Sequence, residues 1–185
     1  MLNYEVDPAL LRPLVPPGTE LDRWNGRTLA SIVGFRFPRA AIAWVARILY
    51  NENYVSAPMR HDVERAPGGD MRRVRYEWRS QRRWGGLMLR VEGAPALPAD
   101  DSEETFVTEH YWGYAAQRRG PALEYQVEHP RWRVWRAVET TLEADLADLY
   151  GPDFARSLAA EPSSGFVADG SAVTVRRGVR LDVGA

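Results

Sequence analysis

The sequence predicts an α+β fold with a largely antiparallel, barrel-like sheet and a few flanking helices. Many segments alternate apolar and polar residues at the period of two that is typical of half-buried strands. Helical patterns are few, and no regular strand-helix-strand order indicates a parallel sheet. The 185 residues fit a single domain, residues 1–185, because a chain of this length can bury one continuous core.

The N-terminal segment predicts a short helix and then a strand. Asp7 precedes Pro8 and is expected to cap a helix that Pro13 ends. The Asn25-Gly26 pair before an apolar run is a strong hairpin signal. Residues 27–37 are therefore interpreted as a largely buried strand that follows this turn.

A helix and an extended segment are predicted next. Pro38 opens a pattern in which apolar residues recur at helical spacing as far as about Tyr50. Residues 54–61 are interpreted as extended, since Pro58 disfavours a helix there.

A β-hairpin is predicted for residues 71–92. The turn-forming stretch 67–70 precedes it, and Val74, Tyr76 and Trp78 then alternate with charged residues. Residues 84–91 supply the second strand, with Leu87, Leu89 and Val91 on one face.

The C-terminal half predicts helices that alternate with strands. Asp101 and Glu104 resemble a capping box for a helix that carries an aromatic face as far as Tyr114. Thr140 and Glu143 form a second capping box, and its helix is expected to stop at Gly151. The remaining predictions are strands at residues 122–129, 132–139 and 172–181, a short helix at 154–160 and a loose segment at 161–165.

Composition excludes several classes of function. The formal net charge of -1 provides no general attraction to nucleic acid or to an anionic membrane, so neither is expected as a partner. Lysine is absent and all 24 basic residues are arginine, so no side-chain amine can form a Schiff base. Cysteine is also absent, and the N-terminus lacks a signal-peptide pattern, which together favour a cytoplasmic protein.

Residues 102–135 hold the densest group of polar and aromatic side chains. Glu109 is the candidate catalytic residue, because a carboxyl group beside the hydroxyl of Tyr111 or Tyr114 can act in acid/base chemistry. The alternative is a structural Glu109 that pairs with Arg73 or Arg75. The candidate ligand-binding residues are Arg73, Arg75, Tyr76, Trp78, His110, Tyr111, Tyr114 and His129.

The three histidines do not indicate a metal site. No two of His61, His110 and His129 have the spacing of a metal motif, so no metal and no cofactor are predicted. His129 has the alternative role of holding the turn at Pro130. Arg131, Arg133 and Arg136 can bind a carboxylate or a phosphate, or can simply face water.

Several motifs resemble, in the same order, the YqjF-like bacterial proteins of unknown function (domain of unknown function 2071). They are the stretch 14–22, Ser31-Ile32-Val33-Gly34-Phe35, the stretch 108–114 and Glu128-His129-Pro130. The last two look like the family's Glu-Arg-Tyr-x-x-Tyr and His-x-Trp signatures. This resemblance covers most of residues 1–138 and implies the acetoacetate decarboxylase-like superfamily, with a β-barrel-like sheet and a central cavity.

The chain departs from this family in two ways. A stretch with two strands that family members carry is missing after Phe37, which implies an internal deletion and an exposed edge that a second subunit could cover. The absence of lysine excludes the Schiff-base mechanism of acetoacetate decarboxylase, so the shared fold does not carry that activity.

Two functions remain open from the sequence. The first is binding of a small anionic or aromatic molecule in a sheet-lined cavity. The second is an enzyme that performs acid/base chemistry on a small carbonyl or carboxylate compound, with Glu109 as the proton carrier and an arginine as the anion clamp. A homo-oligomer is a further possibility because of the missing segment.

Overall fold

A computed structural model describes residues 1–34, 59–80, 83–115, 117 and 120–181. In chain order its elements are β1 (Leu2–Glu5), α1 (Pro8–Leu11), a 3-10 turn (Arg12–Leu14), β2 (Leu29–Ile32), β3 (Met59–Arg65), β4 (Met71–Ser80), β5 (Arg83–Val91), α2 (Glu103–Thr108), β6 (Trp112–Ala115), β7 (Leu123–Glu128), β8 (Val134–Glu143), α3 (Leu146–Leu158), β9 (Ser164–Ala168), β10 (Thr174–Val175) and β11 (Val179–Arg180).

The main sheet is a curled half-barrel of seven strands in the order β2-β1-β9-β8-β5-β4-β3. Every pair of neighbours in this sheet is antiparallel. A smaller sheet places β6 on one side of β7 and both β10 and β11 on the other. The predicted α+β, largely antiparallel, barrel-like fold class is confirmed.

The core lies between one face of the main sheet and α3. Its buried residues are Leu2, Tyr4, Val6, Ile32, Leu87, Leu89 and Leu158. The helix contributes Leu146, Tyr150 and Phe154, which pack against this cluster. Burial of these side chains supplies the main stabilisation, at roughly 25 cal/mol for each Å² of apolar surface removed from water.

The N-terminal predictions are confirmed in part. The side chain of Asp7 caps α1 by accepting a hydrogen bond from the amide of Ala9 at 2.8 Å. Asn25 and Gly26 both have positive φ, and Trp24 and Arg27 exchange two backbone hydrogen bonds across them. The prediction of a long buried strand was wrong within the described residues, where β2 spans only Leu29–Ile32. Its pairing partner is β1, a strand that was not predicted from the sequence.

The hairpin of β4 and β5 matches its predicted position. Val74 and Leu89 face each other in the register, and both are buried. β3 pairs with the other edge of β4. The predicted helix at residues 38–50 and the extended segment at 54–58 lie outside the described residues, whereas residues 59–61 belong to β3.

The helix predicted from Asp101 to Tyr114 was wrong in its start and its end. Ser102 is the N-cap and accepts a hydrogen bond from the amide of Thr105 at 3.2 Å. The helix ends at Thr108, and Trp112–Ala115 forms β6 instead. Aromatic residues fit a strand as well as a helix, and pairing with β7 decides between the two.

The capping box at Thr140 and Glu143 was also wrong. Both residues lie in β8, where Thr140 pairs with Leu89 and Glu143 pairs with Gly86. The β-branched residues of this segment favour a strand. Two residues separate β8 from α3, and the second of them, Asp145, is the N-cap of the helix.

Two more C-terminal predictions need correction. The segment interpreted as loose contains the start of β9, which pairs with both β1 and β8. The single strand predicted at residues 172–181 is two short strands, β10 and β11, which pair with successive parts of β7.

Candidate functional site

β4 separates the predicted ligand-binding residues onto two faces of the sheet. Tyr76 and Trp78 face the core and pack against its buried cluster. Arg73 and Arg75 point to the opposite face, because side chains alternate along a strand. Each of these arginines has a carboxylate partner at 2.9 Å, Glu64 for Arg73 and Glu77 for Arg75. Neither pairs with Glu109.

Glu109 and Tyr111 form a hydrogen-bonded pair at the end of α2. Glu109 is the C-cap of the helix, and its carboxylate accepts a short hydrogen bond from the hydroxyl of Tyr111. Thr108 donates a second hydrogen bond to the same carboxylate at 3.2 Å. The hydrogen bond to Glu109, together with desolvation and the negative charge of Glu109, raises the pKa of Tyr111.

His129 joins this pair through ring contacts. Its ring lies 5.2 Å from the ring of Tyr111 and stacks on Trp132 at 3.8 Å, with 12° between the planes. Its Nδ1 donates to the carbonyl of Pro130 at 2.9 Å. We call Glu109, Tyr111, His129 and Trp132 the Tyr111 cluster.

His110 and Tyr114 point away from the Tyr111 cluster. The Nε2 of His110 lies 3.2 Å from the carboxylate of Asp22, and its ring makes an edge contact with Phe106. Tyr114 is exposed on β6, and its hydrogen bond to Glu124 raises its pKa. His110 and Tyr114 are therefore close to Tyr111 in the sequence but are not part of the Tyr111 cluster.

A cleft of about 850 Å³ lies between the end of the β4–β5 hairpin and α3, and we call it the α3 cleft. Trp78 is the one residue of the predicted set that lines it. Its other lining residues are Ser80, Arg83, Trp84, Gly85, Glu143, Ala144, Asp145, Leu146, Ala147, Asp148, Leu149, Ala155 and Ala159. No local sequence pattern predicts this site, because its lining comes from segments about 60 residues apart in the chain.

A second depression of about 350 Å³ lies on the arginine-bearing face of the sheet, and we call it the outer groove. Arg73 and Arg75 line it. Its other lining residues are Glu77, Trp84, Gly85, Gly86, Leu87, Met88, Thr141 and Glu143. Neither the α3 cleft nor the outer groove contains a residue of the Tyr111 cluster.

A buried polar network attaches α2 to the sheet. Glu103 is 7% exposed, and its carboxylate accepts hydrogen bonds from Arg27 at 3.2 Å, Asn3 at 3.3 Å and Ser164. Asn3 is fully buried and also accepts a hydrogen bond from Ser31 at 2.7 Å. No sequence pattern predicts this network, because an acidic residue in the first turn of a helix is usually solvated.

Glu104 anchors the other side of α2. Its carboxylate accepts a hydrogen bond from Arg136 on β8 at 2.5 Å. Burial raises the pKa of Glu104, but the hydrogen bonds from Arg136 and the backbone, and the positive charge of Arg136, outweigh burial and lower the pKa below 4.5.

Acidification is expected to destabilise the wild-type chain more than a Glu104→Gln variant. Because the pKa of Glu104 is lower in the folded state, its contribution to stability is present above pH 4.5 and is lost as the pH falls through the folded-state pKa. Urea denaturation at about pH 7 and about pH 3 measures the difference. Glu20→Gln, at an exposed position, is the control, and identical losses in all three proteins would contradict the assignment.

Neither a metal-binding cluster nor a membrane-spanning helix occurs among the residues that the structure describes. Those residues contain no cluster of three or more histidine, aspartate or glutamate side chains placed to hold a metal ion. No helix among them is both long enough and apolar enough to cross a membrane.

A sequence model of one protein family matches almost the whole chain. The match covers residues 1–41 and 37–172, and the family, domain of unknown function 2071, is described as an uncharacterized conserved protein. The chain belongs to this family. No curated protein and no solved structure matches it significantly.

Proposed function

We propose that the protein binds a small aromatic carboxylate in the α3 cleft. The observation that carries this proposal is the cleft itself, whose volume of about 850 Å³ lies in the range of small-molecule sites, roughly 300–1,000 Å³. Apolar residues of α3, including Leu146 and Leu149, and the indole of Trp78 line it. Such a lining favours a flat, apolar ligand body.

Among the described residues, Arg83 is the one cationic side chain that lines the α3 cleft, and two of the three carboxylates that line it are engaged in the first turn of α3. Asp145 accepts a hydrogen bond from the amide of Asp148 at 3.1 Å, and Asp148 accepts one from Ser80 at 2.8 Å. These two carboxylates therefore hold the first turn of α3 in place. Glu143 pairs with Gly86 in the register, so its side chain points to the arginine-bearing face.

Arg83 is the side chain that we assign to the ligand carboxylate. It lines the cleft at the start of β5 and, among the described residues, its guanidinium takes part in no hydrogen bond or ion pair. A guanidinium binds a carboxylate through two parallel hydrogen bonds, which fixes the orientation of the ligand as well as its charge.

Replacement of Arg83 by glutamine is expected to weaken binding of an aromatic carboxylate about tenfold, because one charge-assisted hydrogen-bonded pair is lost at a partly solvated site. Isothermal titration with benzoate and indole-3-acetate measures the dissociation constants. The matched control is Arg79→Gln on the same hairpin, because Arg79 is exposed and lines neither cleft.

Two results would remove this proposal. One is no binding of any aromatic carboxylate by the wild-type chain. The other is equal binding by the Arg83 and Arg79 variants. Benzylamine, which carries the opposite charge on a similar ring, is expected to bind more weakly than benzoate.

A second candidate function is acid/base catalysis by the Tyr111 cluster. The observation in its favour is the hydrogen bond from Tyr111 to Glu109, with the ring of His129 beside it. The geometry supports it less well than ligand binding, because Glu109 lines neither of the two clefts. A co-crystal with an aromatic carboxylate seated against Glu109 instead of Arg83 would reverse this order.

We also propose that the chain is a member of the acetoacetate decarboxylase-like superfamily that has lost a segment after Phe37. Two observations support this view: the curled seven-stranded sheet, and a family match in two overlapping pieces, 1–41 and 37–172. A cytoplasmic location and a homo-oligomer that covers an exposed edge are part of the same proposal. Analytical ultracentrifugation of the full chain tests the oligomer, and a strictly monomeric protein would contradict it.

A further inference from the structure

We propose that β6 pairs edge to edge with β6 of a second copy of this chain, which joins the two small sheets into one. The interface consists of the outer edge of β6 and the exposed side chains of Trp112 and Tyr114. It lies in the small sheet, so it depends neither on the α3 cleft nor on the proposed loss of a segment after Phe37.

The first observation is the row of backbone groups along the outer edge of β6. The amide of Val127 on β7 donates a hydrogen bond to the carbonyl of Tyr111 at 2.7 Å. Because backbone groups alternate in direction along a strand, those of Trp112 and Tyr114 point away from β7. Among the described residues, no strand pairs with this outer edge.

This edge lacks the features that keep many edge strands from pairing with each other, which are prolines, charged side chains and bulges. The register with β7 is continuous from Trp112 to Ala115, and the stretch contains neither a proline nor a charged residue. The ring of Tyr125 lies over Gly113, where an added Cβ atom would be 2.3 Å from its Cζ. An aromatic ring that covers an edge glycine helps to fix the register of the strand.

The outer edge of β6 is complementary to itself. In an antiparallel pair of two β6 strands, a two-fold axis at Gly113 places Trp112 of one copy opposite Tyr114 of the other. Both residues direct their N–H and C=O groups toward the partner strand, so each of these pairs exchanges both backbone hydrogen bonds. The axis repeats the contact on its other side, and the outer backbone groups of both residues are then paired.

The side chains on both faces of β6 also favour a second copy. Trp112 is 52% exposed and Tyr114 is 43% exposed, and both lie on the same face of the strand. The interface therefore contains two aromatic cross-strand pairs and brings no like charges together. On the other face, the hydroxyl of Tyr125 lies over Gly113 and, within the described part of the chain, takes part in no hydrogen bond. The two-fold axis brings this hydroxyl beside the same group of the second copy.

Sedimentation equilibrium of the full chain tests the association. β6 has four residues, and an interface this short lies below the roughly 1,200 Å² of stable complexes, so we expect a dissociation constant on the order of 100 µM. Trp112→Glu is expected to raise this constant about tenfold, because it places a charge in the interface. Val138→Glu is the matched control, because Val138 is 51% exposed but lies on β8 of the main sheet.

Disulfide cross-linking tests the register, because the chain contains no cysteine of its own. The proposed pairing places position 112 about 5.5 Å from position 114 of the other copy, measured between Cα atoms, which a disulfide can bridge. Position 112 and its own counterpart are more than about 7 Å apart, which a disulfide cannot bridge. With diamide as the oxidant, a mixture of the Trp112→Cys and Tyr114→Cys variants is therefore expected to cross-link about tenfold faster than either variant alone.

Three results would contradict the proposal. A wild-type chain that is monomeric at about 1 mM would leave the edge to a strand of another protein. A dimer that forms equally in the Trp112→Glu and Val138→Glu variants, both with the wild-type melting temperature, would use a different edge of the chain. Equal rates of cross-linking in the mixture and in the single variants would exclude the register. Binding of benzoate to the α3 cleft is expected to be unchanged in Trp112→Glu, which separates this proposal from the ligand site.

Discussion

Replacement of Glu103 by alanine is expected to lower the free energy of unfolding by about 3 kcal/mol, because it leaves charged and polar partners without an acceptor in a buried site. The carboxylate of Glu103 joins Arg27, Asn3 and Ser164, which lie on three separate segments. Asn3 is fully buried and cannot turn to water when this acceptor is removed. Chemical denaturation at neutral pH measures the effect.

Glu5→Ala is the matched control for this substitution. Glu5 also approaches Arg27, at 4.0 Å, but its side chain is 58% exposed. Solvent screens such a contact, so the expected change is below about 0.5 kcal/mol. Equal losses in the two variants would show that burial of Glu103 does not govern its contribution.

Replacement of Gly151 by alanine is expected to destabilise the protein by about 2 kcal/mol, because a side chain is strained in this backbone conformation. Gly151 has φ 83° and ψ 165° in the middle of α3, and Pro152 follows it. The glycine joins two helical halves that both contribute residues to the α3 cleft. A strained kink should therefore weaken ligand binding as well as stability.

Thermal and urea denaturation measure the first effect, and titration with benzoate measures the second. Gly68→Ala provides the control, because Gly68 lies in a turn without a positive φ and a Cβ there meets no atom within 4 Å. A Gly151 variant as stable as the Gly68 variant would contradict the strain argument.

The hairpin was predicted correctly, but two helix starts were misplaced, for two different reasons. Around Val74 and Leu89, apolar and polar residues alternate at a period of two. This alternation predicts a strand from the local sequence alone, because one face of the strand must be buried. At Asp101, the neighbouring residue Ser102 caps the helix instead. At Thr140, the predicted helix start is part of a strand that pairs with β5. Capping contributes about 1 kcal/mol, which tertiary pairing readily overrides.

The candidate site shows a similar division. The sequence predicted an acid/base pair of Glu109 with Tyr111 or Tyr114, and in the structure the hydrogen bond to Glu109 comes from Tyr111. It also named Trp78, Arg73 and Arg75, which line the two clefts, but it placed them in one cavity. Arg83, Glu143 and Asp148 went unnoticed, because nothing in their local sequence indicates that β5, β8 and α3 meet.

The sequence by itself determined the fold class, the core face of the central hairpin, the family and the exclusion of Schiff-base chemistry. Each of these depends on composition, on motif order or on a local period that holds within one element. The tertiary structure alone decided that Glu103 is buried and where the α3 cleft and the outer groove lie. Those features arise from strand register and from the docking of α3, which join residues far apart in the chain.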